Sequence, residues 1–294
     1  MHHRISAFFF VVLAALTTQV AAQPPYDSIV VFGDSLSDTG NAFAATGIPP
    51  TGPGDFPYYQ GRFSNGPVWI DYLQSDLGLA DQQILNFAVG GASTGEGFRE
   101  PPSGIFDGAP GAVVPTVGAQ IETFLQVAAP TQNQLTILWA GSNDLLNRTL
   151  PIVAVYNVEN HIRKLADAGA DEFLVPSLSP LGTTPAVNQS FEGLILNGMA
   201  WRFNSLLDRR LDKLEAELEI KIHRLDTFTL TYLGIIFPTA FGLTNTSNAA
   251  LTDIQSNLIS PHQGASYLYW DIIHPTSQAH RIIADATLLK LSSQ

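Results

Sequence analysis

Residues 28–41, "SIVVFGDSLSDTGN", join an apolar run to a tight cluster of small and polar residues. The run over residues 28–32 predicts a buried strand. Gly33 and Asp34 then turn the chain sharply, and this turn puts the hydroxyl group of Ser35 just beyond the strand. Taken alone, such a serine is more often a helix N-cap than a nucleophile. The rest of the sequence has to decide between these two roles.

Further apolar runs of strand length recur along the chain and alternate with helical patterns. Apolar residues at helical spacing predict helices over residues 156–168 and 194–218. The predicted strands after the first cover residues 84–87, 135–139, 172–175 and 220–225. Strands that alternate with helices favour a parallel sheet covered by helices on both faces. The segments 47–57 and 100–118 are rich in glycine and proline, so we expect long loops there.

The N-terminus resembles an export signal. A short basic start, an apolar run over residues 5–16 and small residues at Val20 and Ala22 predict a secretory signal peptide over residues 1–22. The apolar run is too short to span a bilayer comfortably. We therefore expect a secreted, extracellular protein whose residues 23–294 form a single α/β domain.

Composition excludes several classes of function. The formal net charge is −12 and only 14 residues are Lys or Arg, which argues against nucleic-acid binding and against adsorption to anionic membranes. We expect no stable membrane association. The chain has no cysteine, so a disulfide framework, a thiol nucleophile and a cysteine-ligated metal are excluded. The sequence leaves the oligomeric state open.

Three N-x-[ST] sequons are candidate glycosylation sites in an exported protein. They begin at Asn147, Asn188 and Asn245. Such sites lie on surface loops when they carry glycans.

Reactive residues follow several of the predicted strands, where ligands bind in open parallel sheets. A glycine pair lies in "NFAVGGAST" after residue 86, Asn143 follows the strand over residues 135–139, and Asp271 precedes His274 by three residues. Acyl transfer needs a nucleophile, a base, a group that orients the base, and donors for the oxyanion. Ser35, His274 and Asp271 match the first three roles. The backbone N–H groups of Ser35 and a glycine, with the side-chain amide of Asn143, match the fourth.

These segments resemble the four sequence blocks of the GDSL, or SGNH, hydrolase superfamily. Its Ser, Gly, Asn and His correspond here to Ser35, Gly91, Asn143 and His274. Gly90 also stands in the second block, and the resemblance implies Gly91, because family members place this glycine five residues after the residue that corresponds to Asn86. The resemblance implies a three-layer α/β/α fold of flavodoxin type and serine-dependent ester hydrolysis without a metal or other cofactor. Within the superfamily the chain looks most similar to secreted fungal acetylesterases, grouped as carbohydrate esterase family sixteen.

The predicted substrate is a small-molecule or oligosaccharide ester, with an acetyl group removed from a sugar hydroxyl. The variable loops are rich in glycine, proline and small polar residues and contain no long apolar lid. A lipase or phospholipase of the same superfamily is the alternative enzyme. His262 is the only rival to His274 as the base, and it lacks a carboxylate at useful spacing.

Two other classes of function stay open. A metallophosphoesterase would use a ligand set drawn from Asp34, Asn143, Asp144, Asp271 and His274. A non-catalytic carbohydrate-binding protein on the same fold would stack sugars on loop aromatics, namely Phe56, Tyr58, Tyr59 and Trp270.

Overall fold

The computed structural model describes residues 26–54, 56–100 and 113–293. The predicted signal peptide lies outside these residues. The strands, in chain order, are β1 (Ser28–Gly33), β2 (Ile84–Asn86), β3 (Phe98–Arg99), β4 (Val114–Pro115), β5 (Gln134–Trp139), β6 (Glu172–Pro176), β7 (Lys221–Leu225), β8 (Asn245–Ala249) and β9 (Tyr267–Tyr269).

Helices of very different lengths connect and follow these strands. The α-helices are α1 (Asn41–Thr46), α2 (Trp69–Asp76), α3 (Val117–Val127), α4 (Ser142–Leu146), α5 (Pro151–Asp167), α6 (Phe191–Leu218), α7 (Thr227–Ile236), α8 (Ala250–Gln255), α9 (Pro261–Gly264) and α10 (Ser277–Ser292). Short 3₁₀ segments cover Asp81–Gln83, Leu181–Thr183 and Pro238–Phe241. No helix among the described residues combines the length and apolar character needed to cross a membrane.

Five parallel strands form the central sheet, in the spatial order β2–β1–β5–β6–β7. Strands β1 and β5 pair along their whole length, from Ser28 beside Gln134 to Gly33 beside Trp139. All five strands of this sheet correspond to apolar runs that predicted strands, with ends that differ by one residue or two. Such runs are typical of parallel strands because both faces of the sheet are covered.

Helices cover both faces, so the predicted three-layer α/β/α fold is confirmed. Helices α2 and α10 pack together on one side, while α5 and α6 pack together on the other, with α3 beside α5. The core between the layers contains large side chains that are less than 2% exposed, among them Trp69, Phe32, Phe124, Phe173 and Phe203. Burial of this apolar surface is the main stabilising contribution.

The predicted loop over residues 100–118 is wrong at its C-terminal end. Residues 114–115 form β4, and Val117 begins α3. The hydroxyl group of Thr116 caps this helix by accepting a hydrogen bond from the backbone N–H of Ala119. Gly118 weakened the helical pattern in the sequence. Glycine is favoured there because a Cβ atom would lie 2.8 Å from the backbone carbonyl oxygen of Gly95.

The order of the strands places a crevice at the carboxyl end of β1. The chain leaves β1 to form β2 on one side and then returns to form β5 on the other side. In open parallel sheets this change of direction marks the ligand-binding edge. The segments after β1 and β5 contain Ser35 and Asn143, respectively.

Candidate active site

The turn after β1 is held by a buried side chain from α3. Gln120 accepts a hydrogen bond from the Gly33 N–H and donates one to the Gly33 carbonyl, both at 2.9 Å. A Cβ atom on Gly33 would lie 2.5 Å from the carbonyl oxygen of Trp139, so only glycine fits. Ser35 follows this fixed point and is 5% exposed. The local backbone therefore places the Ser35 hydroxyl group rigidly at the end of the sheet.

Two aspartates shape the segment around Ser35. Asp34 accepts the backbone N–H of Leu36 at 3.1 Å. The carboxylate of Asp38 accepts three backbone N–H groups at the start of α1 and the N–H of Gly90 at 2.8 Å. Burial raises the pKa of Asp34 to about 7 and also raises the pKa of Asp38.

Ser35, His274 and Asp271 form a continuous hydrogen-bonded chain. The Ser35 Oγ atom lies 2.9 Å from His274 Nε2, and His274 Nδ1 lies 2.7 Å from Asp271 Oδ2. The other oxygen of Asp271 accepts the N–H groups of Ile273 and His274 at 2.9 and 2.7 Å. Burial opposes ionisation of Asp271, but the neighbouring His274 and these hydrogen bonds together hold its pKa below the ordinary value.

A fourth side chain, which the sequence did not indicate as a partner, completes this group. Tyr58 donates its hydroxyl hydrogen to Asp271 Oδ2 at 2.9 Å, the same oxygen that faces His274. Burial and, to a smaller extent, the proximity of the carboxylate raise the pKa of Tyr58. The Phe63 ring lies against the His274 ring, with centroids 5.0 Å apart. His262, the rival base, lies exposed on the short helix α9.

The structure distinguishes between the two glycines of the second block. The N–H of Gly90 donates to Asp38, whereas the N–H of Gly91 meets no acceptor among the described residues. Gly91 has a φ of 82°, in the left-handed region that glycine adopts without strain. Asn143 donates one side-chain hydrogen to the carbonyl of Ala92 at 2.9 Å. Asn143 and the glycine loop are thus fixed against each other.

Asp144 attaches the same loop to α4 and α5. Its two carboxylate oxygens accept the backbone N–H and the hydroxyl group of Thr94, at 2.9 and 2.7 Å. Asn157 donates to the Thr94 hydroxyl oxygen, and His161 Nε2 lies 2.7 Å from the Thr94 carbonyl. Both oxygens of the Asp144 carboxylate therefore hold this loop in position. No three His, Asp or Glu side chains in the described part of the chain converge as a metal site.

A largely apolar cavity opens beside Ser35, Asn143 and His274. It encloses about 990 Å³ of space unoccupied by protein atoms, part of it open to solvent. Helices α7 and α10 and the segment before α6 supply part of the lining, and the segments after β1, around α4 and around β9 supply most of the rest. The apolar lining includes Leu36, Leu146, Leu181, Leu230, Phe241, Leu243, Leu268, Ile273, Ile282 and Ile283.

The loop aromatics considered as a sugar platform are arranged differently. Trp270 is 2% exposed and meets the edge of Phe56, with ring centroids 6.3 Å apart. Tyr58 is engaged by Asp271, and the guanidinium of Arg62 lies over the Tyr59 ring at 5.8 Å. Of these four aromatic residues, only Phe56 is exposed, at 39%. The sequence interpretation is therefore wrong for Trp270 and Tyr58, which pack within the molecule, and stays a prediction for Phe56 and Tyr59.

The sequon asparagines lie at or near the surface, and each makes hydrogen bonds. Asn147 donates to the carbonyl of Asn143, and Asn188 donates to the carbonyl of Ser247. Asn245 accepts the backbone N–H groups of Ser247 and Asn248. Their glycosylation stays a prediction.

A family model described as GDSL-like lipase/acylhydrolase matches residues 29–287. The chain belongs to this family. As a GDSL-family member it is a carboxylic ester hydrolase, as the sequence predicts. The match spans the segments that supply Ser35, Gly91, Asn143, Asp271 and His274.

Two relatives of this GDSL hydrolase match it over nearly the whole length of both chains. A phosphatidylcholine-sterol acyltransferase of Aeromonas hydrophila is 29% identical over 96% of the chain and 95% of that protein. Acetylajmalan esterase 2 of Rauvolfia serpentina is 26% identical, over 94% of the chain and 93% of its own length. Among solved structures, an acetylxylan esterase from Geobacillus stearothermophilus is 13% identical and covers 93% of the chain and 98% of its own, with a TM-score of 0.46.

Proposed function

We propose that Ser35 is the nucleophile of this ester hydrolase, with His274 as its general base and Asp271 as the group that orients the base. One observation carries the proposal: Ser35 Oγ, His274 and Asp271 form an unbroken chain with separations of 2.9 and 2.7 Å. His274 Nε2 takes the proton of Ser35 as the hydroxyl oxygen attacks the ester carbonyl. Asp271 holds the Nδ1–H tautomer and stabilises the imidazolium that forms.

The negative charge on the carbonyl oxygen needs donors that are already in place. We assign this role to the backbone N–H groups of Ser35 and Gly91 and to the side-chain amide of Asn143. Gly90 is the weaker candidate because its N–H is already bonded to Asp38. The imidazolium then protonates the departing alcohol, and the acyl group stays on Ser35. Water, deprotonated by His274, hydrolyses that acyl-enzyme and restores the serine.

For the acyl group, the first candidate is acetate released from a carbohydrate ester by a secreted, glycosylated enzyme. The resemblance to secreted fungal acetylesterases of carbohydrate esterase family sixteen supports this candidate. So does the name of one relative, acetylajmalan esterase 2. Export through a signal peptide over residues 1–22 and glycans at Asn147, Asn188 and Asn245 belong to the same proposal.

The second candidate is a longer acyl chain, released from a lipid ester. The cavity beside Ser35 favours it, because acetate offers a single methyl group to a lining of at least ten large apolar side chains. Each buried methylene group of a fitting chain contributes about 0.8 kcal/mol. One relative carries the name of a lipid substrate, the phosphatidylcholine-sterol acyltransferase of Aeromonas hydrophila. Of the two candidates, the geometry supports the longer chain better.

The Ser35→Ala variant tests the mechanism. We expect it to fold normally and to lose at least 10³-fold in kcat on p-nitrophenyl esters, since removal of the nucleophile leaves only binding and oxyanion stabilisation. Ser179→Ala is the matched control, because Ser179 lines the same cavity, and it should retain activity within a few-fold. A serine-directed phosphonate should label the wild type at Ser35.

Two outcomes would contradict this assignment. One is an active Ser35→Ala variant, and the other is phosphonate labelling at a different serine. Binding of acetylated oligosaccharides without hydrolysis of any ester would favour the non-catalytic carbohydrate-binding alternative.

A further inference from the structure

The first half of α6 exposes a row of large apolar side chains. Phe191 is 77% exposed, Leu194 69%, Ile195 38% and Trp201 60%. Their spacing places them on one face of the helix over about 15 Å. Gly198 lies in the same row, and a Cβ atom there would meet nothing within 4 Å. We call the four side chains the α6 stripe.

The α6 stripe lies at the same end of the molecule as Ser35. Two hydrogen bonds join α5 to α6: Arg210 of α6 donates to the hydroxyl group of Tyr156, and Arg163 of α5 donates to Glu217. In each pair the α6 residue is 54 positions after the α5 residue. At this offset the first residue of α5, Pro151, lies level with Ser205. Residues 191–204 of α6 therefore extend beyond α5. They do so at the carboxyl edge of the sheet, because α6 starts after β6 leaves that edge.

One short segment separates the stripe from the cavity. The 3₁₀ turn Leu181–Thr183 packs against α6, where Asn197 accepts the N–H of Gly182 at 2.7 Å. Pro180, Leu181 and Thr184, from the same segment, line the cavity beside Ser35. The α6 stripe and the apolar cavity therefore lie on opposite sides of this segment.

The size of the stripe argues against a stable dimer interface. Such an interface buries about 800 Å² on each partner and involves roughly 20–30 residues a side. Four side chains supply only a fraction of that number. A lipid surface needs no matching partner contour, and aromatic residues such as Trp are favoured at its interface with water.

The surrounding charge selects the kind of lipid. Glu192, beside the row, is paired with Arg148 at 2.6 Å, and the exposed Arg202 adds one positive charge on the face of the stripe itself. The whole chain carries a formal charge of −12, so an anionic membrane repels it. We propose that the α6 stripe adsorbs the protein reversibly to a neutral or zwitterionic lipid surface and so brings a lipid ester to the cavity. The second part rests on the proposed function. The sequence-based expectation of no stable membrane association is compatible with reversible adsorption.

Tryptophan fluorescence offers a direct test, because Trp201 is 60% exposed while Trp69, Trp139 and Trp270 are at most 2% exposed. With phosphatidylcholine vesicles we expect the emission of the wild type to shift to shorter wavelength, and the protein to sediment with the vesicles. Leu194→Asp should weaken vesicle binding at least tenfold. Leu289→Asp is the matched control, since Leu289 is a 49% exposed leucine near the C-terminal end of α10. It should bind vesicles like the wild type.

Activity and self-association separate the possible outcomes. Leu194→Asp should hydrolyse a soluble p-nitrophenyl ester like the wild type, and Ser35→Ala should still bind vesicles. The lipid proposal is overturned if the wild type ignores vesicles, or if both Asp variants lose binding equally. It is also overturned if the wild type is a dimer in lipid-free solution that Leu194→Asp converts to a monomer. Loss of all ester hydrolysis with vesicle binding intact would instead refute the proposed function alone.

Discussion

Both carboxylate oxygens of Asp271 accept hydrogen bonds from neighbouring groups. One oxygen accepts two backbone N–H groups of its own turn, and the other faces both His274 Nδ1 and the Tyr58 hydroxyl group. Tyr58 touches neither Ser35 nor the imidazole in these contacts, so it acts through Asp271. We regard Tyr58 as a positioning residue that also sets the electron density on the shared oxygen.

Tyr58→Phe removes the donor and keeps the ring. We expect kcat to fall about 3–10-fold with KM nearly unchanged, because a hydrogen bond to a charged group is worth roughly 1.5–3 kcal/mol and part of it is recovered by a closer Asp271–His274 contact. A carboxylate that has lost one donor holds positive charge on the imidazole more strongly. The acidic limb of kcat/KM against pH should therefore move to higher pH.

The pH profile separates this role from a purely structural one. Tyr59→Phe is the control, because Tyr59 sits beside Arg62 and not at Asp271. A lower rate with an unmoved acidic limb in Tyr58→Phe would show that the tyrosine only braces its loop.

The sequence predicted the site residues that stand in short local patterns next to predicted strands and turns. Asp271 and His274 are three positions apart, and Ser35 follows its strand by two residues, so local patterns place them. Tyr58 is 213 positions from Asp271, and no spacing rule connects them. The sequence already favoured Gly91 over Gly90, and the structure adds the physical reason, since the Gly90 N–H is bonded to the Asp38 carboxylate, 52 positions away.

At the scale of elements, the five sheet strands were predictable and the cavity was not. Parallel strands are buried on both faces and therefore appear as short apolar runs. The cavity wall combines α7, α10 and the segment before α6, which meet only in the folded chain. The sequence-based preference for acetate considered the glycine-rich loops and missed this wall. Apolar residues of α7 and α10 look like ordinary core positions in the sequence.

Gly234 of α7 offers a way to shorten the cavity. It lines the cavity, and a Cβ atom there would lie 3.6 Å from the nearest atom of Leu243, an ordinary contact. For the wild type we expect kcat/KM on p-nitrophenyl esters to rise about fourfold per methylene up to medium chain length, which corresponds to about 0.8 kcal/mol each. Gly234→Leu should lower the octanoate value at least tenfold and leave the acetate value within twofold.

A helical glycine on the surface provides the control. Gly198→Leu adds the same side chain to α6, where a Cβ atom meets nothing within 4 Å, and it should not change the profile. A wild-type rate that falls beyond propionate, together with hydrolysis of acetylated xylo-oligosaccharides, would instead establish the acetylesterase candidate.

At the scale of the whole molecule, one buried histidine couples stability to pH. His280 of α10 is 0% exposed, and neither ring nitrogen has a hydrogen-bond partner among the described residues. Burial, reinforced by the nearby His274, lowers the pKa of His280 to about 3. In the unfolded chain a histidine has a pKa of about 6.5. The unfolded state therefore binds more protons below that pH, and the free energy of unfolding falls as the pH drops from 6.5 toward 3.

Replacing this histidine should make the protein more tolerant of acid. His280→Leu replaces the imidazole by an apolar group of similar size, so the cost of burying a polar ring without hydrogen bonds disappears. We compare the free energies of unfolding of the variant and the wild type, each measured by urea unfolding. The difference should grow by about 3 kcal/mol in favour of the variant as the pH is lowered from 7 to 4, because each unit of pKa difference corresponds to about 1.36 kcal/mol. Asp34 has a pKa near 7 in the folded state, so its protonation stabilises the folded protein as the pH falls. This effect is present in both proteins and cancels in the difference. His262→Leu, at an exposed site on α9, should show no such change. An equal difference between His280→Leu and the wild type at both pH values would mean that His280 is not a source of acid sensitivity.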